Sequence, residues 1–95
     1  MKVQLSEQAK KTLSKLDKSI SKKITSYLHE IEELADPRSR GKGLTADKAG
    51  LWRYRVGDYR LICHIQDNLL IITVIRIGHR KAVYGNITSS KKSFT

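Results

Sequence analysis

The period of the apolar positions changes along the chain, and the changes mark out its elements. Residues 2–5, KVQL, alternate polar and apolar and predict a short strand, with Ser6 behind it as a helix N-cap. Leu5, Ala9, Leu13 and Leu16 then fall at helical spacing, and LDKS follows as a short connection in which Asp17 or Ser19 caps a second helix. That second helix has the stronger pattern. Ile20, Ile24, Tyr27, Leu28, Ile31, Leu34 and Ala35 recur every three or four residues and make one apolar stripe that needs a partner layer. Asp36-Pro37 ends it, because proline disfavours helical geometry in the residue before it. PRSRGKGLTADKAG, rich in Gly and polar residues, predicts a mobile basic loop carrying Arg38, Arg40, Lys42 and Lys48.

Beyond the loop the period shortens to two. Gly57-Asp58 and Asp67-Asn68 are turn chemistry between three runs of branched and aromatic residues, which predict antiparallel strands at about 51–56, 59–66 and 69–78. The expected fold is α+β: a short N-terminal strand, a helical hairpin and a three-stranded antiparallel meander, with both helices packed on one face of the sheet. The other face stays open, as antiparallel sheets allow. A single domain is expected over 1–88, with a polar, frayed tail at 89–95.

Strand alternation assigns the faces. Trp52, Tyr54 and Val56 point one way, and Leu51, Arg53 and Arg55 the other. In the next strand Tyr59, Leu61, Cys63 and Ile65 form the apolar parity, which leaves Arg60, Ile62, His64 and Gln66 opposite and brings Arg60 to Arg53 and Arg55. The third run, LLIITVIRI, is apolar on both parities, as a strand covered on each side would be. At its end Arg76, His79, Arg80 and Lys81 gather. Tyr27 and Trp52 read as core residues, His64 as a solvated strand residue, and Tyr59 as either core or a stacking platform.

Charge sharpens this picture. Nineteen Lys and Arg against nine Asp and Glu leave a net charge of +10 in 95 residues, a surface that attracts polyanions. Hydrophobic residues at 39% argue for a folded domain over a disordered basic tail. Cys63 is the only cysteine, so no internal disulfide forms, which fits a reducing cytosol. The stretch MKVQLSEQAKK has no apolar core like that of a signal peptide and no apolar run approaches membrane length, so a cytoplasmic protein without membrane contact is expected. There is no paired carboxylate, no Cys/His set at zinc spacing, no phosphate-cradling Gly-rich motif and no Ser nucleophile elbow, so neither a metal nor a cofactor is expected. Clustered guanidinium groups nevertheless bind a nucleic-acid backbone and stabilise the extra charge of a pentacovalent phosphorane. RNA supplies its own nucleophile in the 2′-hydroxyl, His titrates in the useful range, and Tyr stacks on a base or holds a hydrogen bond.

The helical hairpin, LWRYRVGDYRLICHI at 51–65 and IITVIRIGHRKAVY at 71–84 together resemble the RelE toxins of type II toxin–antitoxin modules, in the RelE/ParE superfamily. The resemblance covers nearly the whole chain. It implies a metal-independent endoribonuclease, an mRNA interferase that enters the ribosomal A site and cuts translated mRNA by attack of the 2′-hydroxyl on the adjacent phosphate, inhibiting translation. Arg60 then matches the family's arginine for transition-state charge, Arg80 the arginine linked to leaving-group protonation or phosphate contact, and Tyr84 the tyrosine that orients the nucleotide. Arg53 and Arg55 depart from the lysines of the best-known member. Arginine holds its proton too firmly to be a general base, so these two are expected to bind RNA, together with Arg76 and Lys81. His79 becomes the candidate for proton transfer, with Tyr84 as the second.

The resemblance also implies partners: the 70S ribosome, mRNA, and a RelB-like antitoxin whose acidic segment folds on the basic toxin to give a hetero-oligomer. ParE toxins share the fold but inhibit DNA gyrase, so a gyrase inhibitor without RNase activity is the alternative. A third reading, a nucleic-acid-binding regulator, rests on net charge alone.

Overall fold

The computed structural model describes residues 1–44 and 50–80, and within these the elements follow the predicted order. Strand β1 (Lys2–Leu5) leads into helix α1 (Glu7–Lys15) and helix α2 (Lys18–Glu33), followed by a 3₁₀ turn at Pro37–Ser39. A two-residue strand, β2 (Lys42–Gly43), precedes β3 (Leu51–Val56), β4 (Tyr59–Gln66) and β5 (Ile71–His79). The boundary expected near residue 88 lies outside the described residues.

Local chemistry sets the ends of these elements. Ser6 Oγ accepts a hydrogen bond from the Ala9 N–H and caps α1. At the start of α2, Asp17 occupies the cap position, but its side chain accepts from the Ser19 hydroxyl instead of from the helix backbone. Gly57, at φ +60°, turns the two-residue hairpin between β3 and β4. Strand β5 starts two residues later than its apolar pattern predicts, because Asp67–Leu69 form a 3₁₀ turn and Leu70 closes it in the left-handed conformation.

Among the described residues the sheet has five strands in the order β1-β5-β4-β3-β2 and is mixed, which corrects the purely antiparallel expectation. The β3-β4-β5 meander is antiparallel as predicted, but β1 runs parallel to β5, with Val3 beside Ile72 and Leu5 beside Val74. A strand separated from its partner by two helices has the long connection that parallel pairing requires. Both helices cover one face. Ala9 of α1 and Ile24, Leu28 and Ile31 of α2 meet Tyr54, Leu61, Cys63, Ile65, Ile72, Val74 and Ile77 of the sheet in one buried core. Ile24 and Ile31 are fully buried, so truncating either to Ala removes about 2–5 kcal/mol of stability. Burial pushes the Cys63 thiol up to about 12.

The predicted basic loop is tied down over its first half. The Trp52 indole N–H donates to the Arg40 carbonyl at 2.7 Å, and the Tyr54 hydroxyl donates to the Pro37 carbonyl at 2.6 Å. Gly41, at φ +80°, lies so close to β3 that a Cβ would run into the Arg53 carbonyl and the Trp52 indole nitrogen. Two of the loop's cations are ion-paired: Arg38 binds Asp67 through two hydrogen bonds of 2.9 Å, and Arg40 binds Glu30 at 2.8 Å. Lys48 lies outside the described residues.

Candidate functional site

The face of the sheet turned away from the helices carries the predicted arginines, and register decides how they meet. Arg55 of β3 stands directly opposite Arg60 of β4. In the next row, Lys42, Arg53, Ile62 and Arg76 run side by side across β2, β3, β4 and β5. No strand contains an acidic residue, so every carboxylate among the described residues lies on a helix, a turn or a connection. The consequence is a cationic face opposite an apolar one.

Arg60 is the unusual member. It is only 7% exposed, and its buried Nε has no hydrogen-bond partner among the described residues. Nη1 reaches the carbonyls of Gly57 and Tyr59 only at 3.5 and 3.4 Å, at the long limit of hydrogen bonding. Directly opposed like charges disfavour the sheet, and a desolvated guanidinium with unused donors is costly to hold. A bound anion relieves both costs. Gly78 pairs with Arg60 on the β5 side and adds no side chain to that row.

A β-bulge in β5 explains why Arg76 joins this face. Ile62 pairs with Arg76 and Cys63 with Val74, so Ile75 is an extra residue between them. Before the bulge Ile72 and Val74 face the core, and after it Ile77 does. Strict alternation would have turned Arg76 toward the helices. The same flip carries His79 to the helix side, opposite Tyr59, where the two rings meet edge to face with centroids 5.5 Å apart. Tyr59 packs against the core, which decides between its two predicted roles.

Arg53, Arg55, Arg60 and Arg76 are therefore brought together, whereas His79 stands on the other face of the sheet from Arg60. Face parity had no way to reveal this, because LLIITVIRI is apolar on both parities and conceals the bulge. Arg80 is exposed directly after β5, its backbone N–H bonded to the Asp58 carbonyl at 2.6 Å, which fixes the chain beside the β3–β4 hairpin. Lys81 and Tyr84 lie outside the described residues. Lys42, which the sequence placed in a loop, is the neighbour that sequence reading missed, since a two-residue strand leaves no periodic signal. Among the described residues no three His, Cys, Asp or Glu side chains cluster as metal ligands would. No helix among them is long and apolar enough to cross a membrane.

The sequence over residues 3–84 matches the family described as the ParE toxin of the type II toxin–antitoxin system, parDE. The chain belongs to this family. It is thus a toxin of a type II toxin–antitoxin system, in the RelE/ParE superfamily. No curated protein matches the chain. Among solved structures, this ParE-family toxin is similar to a chain of the RelBE2 toxin–antitoxin complex from Mycobacterium tuberculosis, with 28% identity and a TM-score of 0.73 over 83% of this chain and 90% of that one. It shares its fold with the isolated RelE toxin of E. coli at 20% identity and a TM-score of 0.69, covering 95% of this chain and 97% of the other. The YoeB/ParE toxin from Agrobacterium tumefaciens has the same fold at 18% identity and a TM-score of 0.65, over 83% and 98%. The expected RelE-like α+β architecture is therefore present.

Proposed function

We propose that this toxin is a ribosome-dependent mRNA endoribonuclease, acting in the cytoplasm on translated mRNA in the A site. The observation that carries the reading is the Arg55–Arg60 pair, two arginines directly opposite each other in register on a face whose described strands hold no carboxylate. A phosphodiester seated there turns a like-charge penalty into charge-assisted hydrogen bonds.

In the proposed reaction the 2′-oxygen forms a bond to the adjacent phosphorus as it loses its proton. The bond from phosphorus to the 5′-oxygen breaks, and the departing oxygen takes up a proton. The products are a 2′,3′-cyclic phosphate and a 5′-hydroxyl. Arg60, already desolvated, stabilises the charge that builds on the phosphorane oxygens. Arg53, Arg55, Arg76 and Lys81 hold the flanking backbone, Arg80 contacts the phosphate at the leaving-oxygen side, and Tyr84 orients the nucleotide and takes over proton transfer. His79, on the opposite face, is reassigned as a positioning residue: its contact with Tyr59 steadies the end of β5 from which Arg80 follows.

Arginines are poor general bases, so much of the rate must come from holding the 2′-hydroxyl in line with the leaving oxygen. The ribosome supplies that geometry, and free RNA is a poor substrate. The partner that silences the toxin is a RelB-like acidic antitoxin. Its support is charge complementarity with a +10 chain and the similarity to a chain of the M. tuberculosis RelBE2 complex.

The test is induction of the wild-type chain and Arg60→Ala in bacteria, with primer extension on a translated mRNA. Discrete cuts inside the reading frame, absent in the variant and when initiation is blocked, are expected. The family match favours one second reading, inhibition of DNA gyrase as in ParE toxins. Growth arrest with intact mRNA and loss of supercoiling would replace the ribonuclease reading with that one.

A further inference from the structure

We infer that bound RNA continues past the arginine face, turning round the edge of β3 into a cationic groove between that edge and α2. The inference rests on the ribonuclease reading and adds a second binding segment to it. Strand β2 covers β3 only at Trp52 and Arg53, so among the described residues Tyr54–Val56 has no neighbouring strand on that side. Two recesses of about 460 and 380 Å³ adjoin this open edge and share Tyr27 in their walls. Arg53 and Arg55 line the first recess and also stand on the open face, which makes face and groove continuous. Lys42 adds charge there, and Lys22 and Lys23 of α2 extend it along the second recess. Glu30, the one carboxylate among the described wall residues, is already paired with Arg40.

The occupant follows from what the groove offers. The ring of Tyr27 is committed to protein, with the Arg40 guanidinium 5.5 Å from its centroid and Tyr54 edge-on at 5.9 Å. It gives no free platform for a base, so recognition falls on phosphates and carries no sequence preference. An acidic peptide adding as a strand is disfavoured, because the three open residues span only about 10 Å, shorter than the usual strand. A single RNA strand flanking the scissile phosphate needs no edge hydrogen bonds and uses the charge that is present.

Fluorescence anisotropy with RNA oligonucleotides blocked at every 2′-hydroxyl, four and twelve nucleotides long, tests this on the wild-type chain and Lys22→Gln/Lys23→Gln. Both lysines are exposed, so the fold is kept. The wild type should bind the twelve-mer about tenfold more tightly than the tetramer, and the variant should lose most of that gain while its tetramer affinity holds. Its salt slope for the twelve-mer should fall by about 1.4, at roughly 0.7 per neutralised phosphate. An unchanged twelve-mer affinity in the variant overturns the groove and leaves the nuclease reading intact. Absence of wild-type binding at either length also overturns the groove, whose phosphate contacts need no ribosome, while the primer-extension assay tests the nuclease reading separately. Loss of binding only to mRNA-free ribosomes would assign the lysines to ribosomal RNA, and tighter binding of an oligoglutamate peptide, lost in the variant, would assign the groove to protein; either result overturns the inference.

Discussion

Ser6 Oγ donates a hydrogen bond to the Ile75 carbonyl at 2.7 Å, and the same oxygen accepts from the Ala9 N–H at 3.0 Å. One hydroxyl thus caps α1 and pins the bulged residue of β5, while the Ser6 N–H bonds to the Val74 carbonyl one position earlier. The bulge turns Arg76 outward and Ile77 inward. Ser6→Ala removes both bonds, and a loss of about 1–2 kcal/mol in urea-unfolding free energy is expected. A variant as stable as the wild type would show that the bulge holds itself.

Asp67 and Arg38 predict an acid-labile contribution. Hydrogen bonding to the Arg38 guanidinium holds the Asp67 carboxyl below its ordinary value, so the folded state binds that proton more weakly than the unfolded chain does. The contribution is complete above the ordinary carboxyl value of about 4 and fades as pH falls through the lower folded value. Asp67→Asn should therefore have a slightly lower urea midpoint at neutral pH, and the gap should close in strong acid. Both groups are partly exposed, so the effect is small and shrinks with salt. An equal gap at both pH values would remove the ion pair from the account.

Much of this architecture is legible in the sequence because it depends on local periods. The β3–β4 hairpin is readable to the residue, since Gly57-Asp58 separates two runs of clear alternation, and the same alternation puts Arg53, Arg55 and Arg60 on one face. Capping of α1 by Ser6 is equally local. What the sequence conceals depends on tertiary partners. The parallel seat of β1 is set by which edge of the sheet is free, and the 37–43 segment is held by the Trp52 and Tyr54 side chains and by Asp67, 29 positions from Arg38. The Ile75 bulge is hidden inside an all-apolar run, and so the separation of His79 from Arg60 is hidden with it.

Arg60 predicts a trade between stability and activity. Its charge is desolvated, opposed by Arg55 and unpaired at Nε among the described residues. Arg60→Met keeps an unbranched side chain and removes these costs, so it should raise unfolding free energy by about 1 kcal/mol. On the ribonuclease reading, the same variant should lose cleavage by about a hundredfold or more while keeping ribosome binding, as expected for a group whose main effect is on the transition state. Added phosphate should stabilise the wild type more than the variant, because the anion site is built round this guanidinium. A destabilised variant, or one that still cuts, would remove Arg60 from the centre of the site.

His79 supplies the sharpest test of the face assignment. A general base contributes a limb to the pH–rate profile, and replacing the base removes that limb. His79 is held against Tyr59 on the helix side, so His79→Phe preserves an aromatic contact there and removes the imidazole nitrogens. Cleavage by His79→Phe on programmed ribosomes should stay within about threefold of wild type with an unchanged pH profile, whereas His79→Ala should lower the rate at all pH values by loosening the end of β5. A pH–rate limb present in the wild type and lost in His79→Phe would instead mean that the imidazole reaches round the strand end to the scissile phosphate and moves the proton itself.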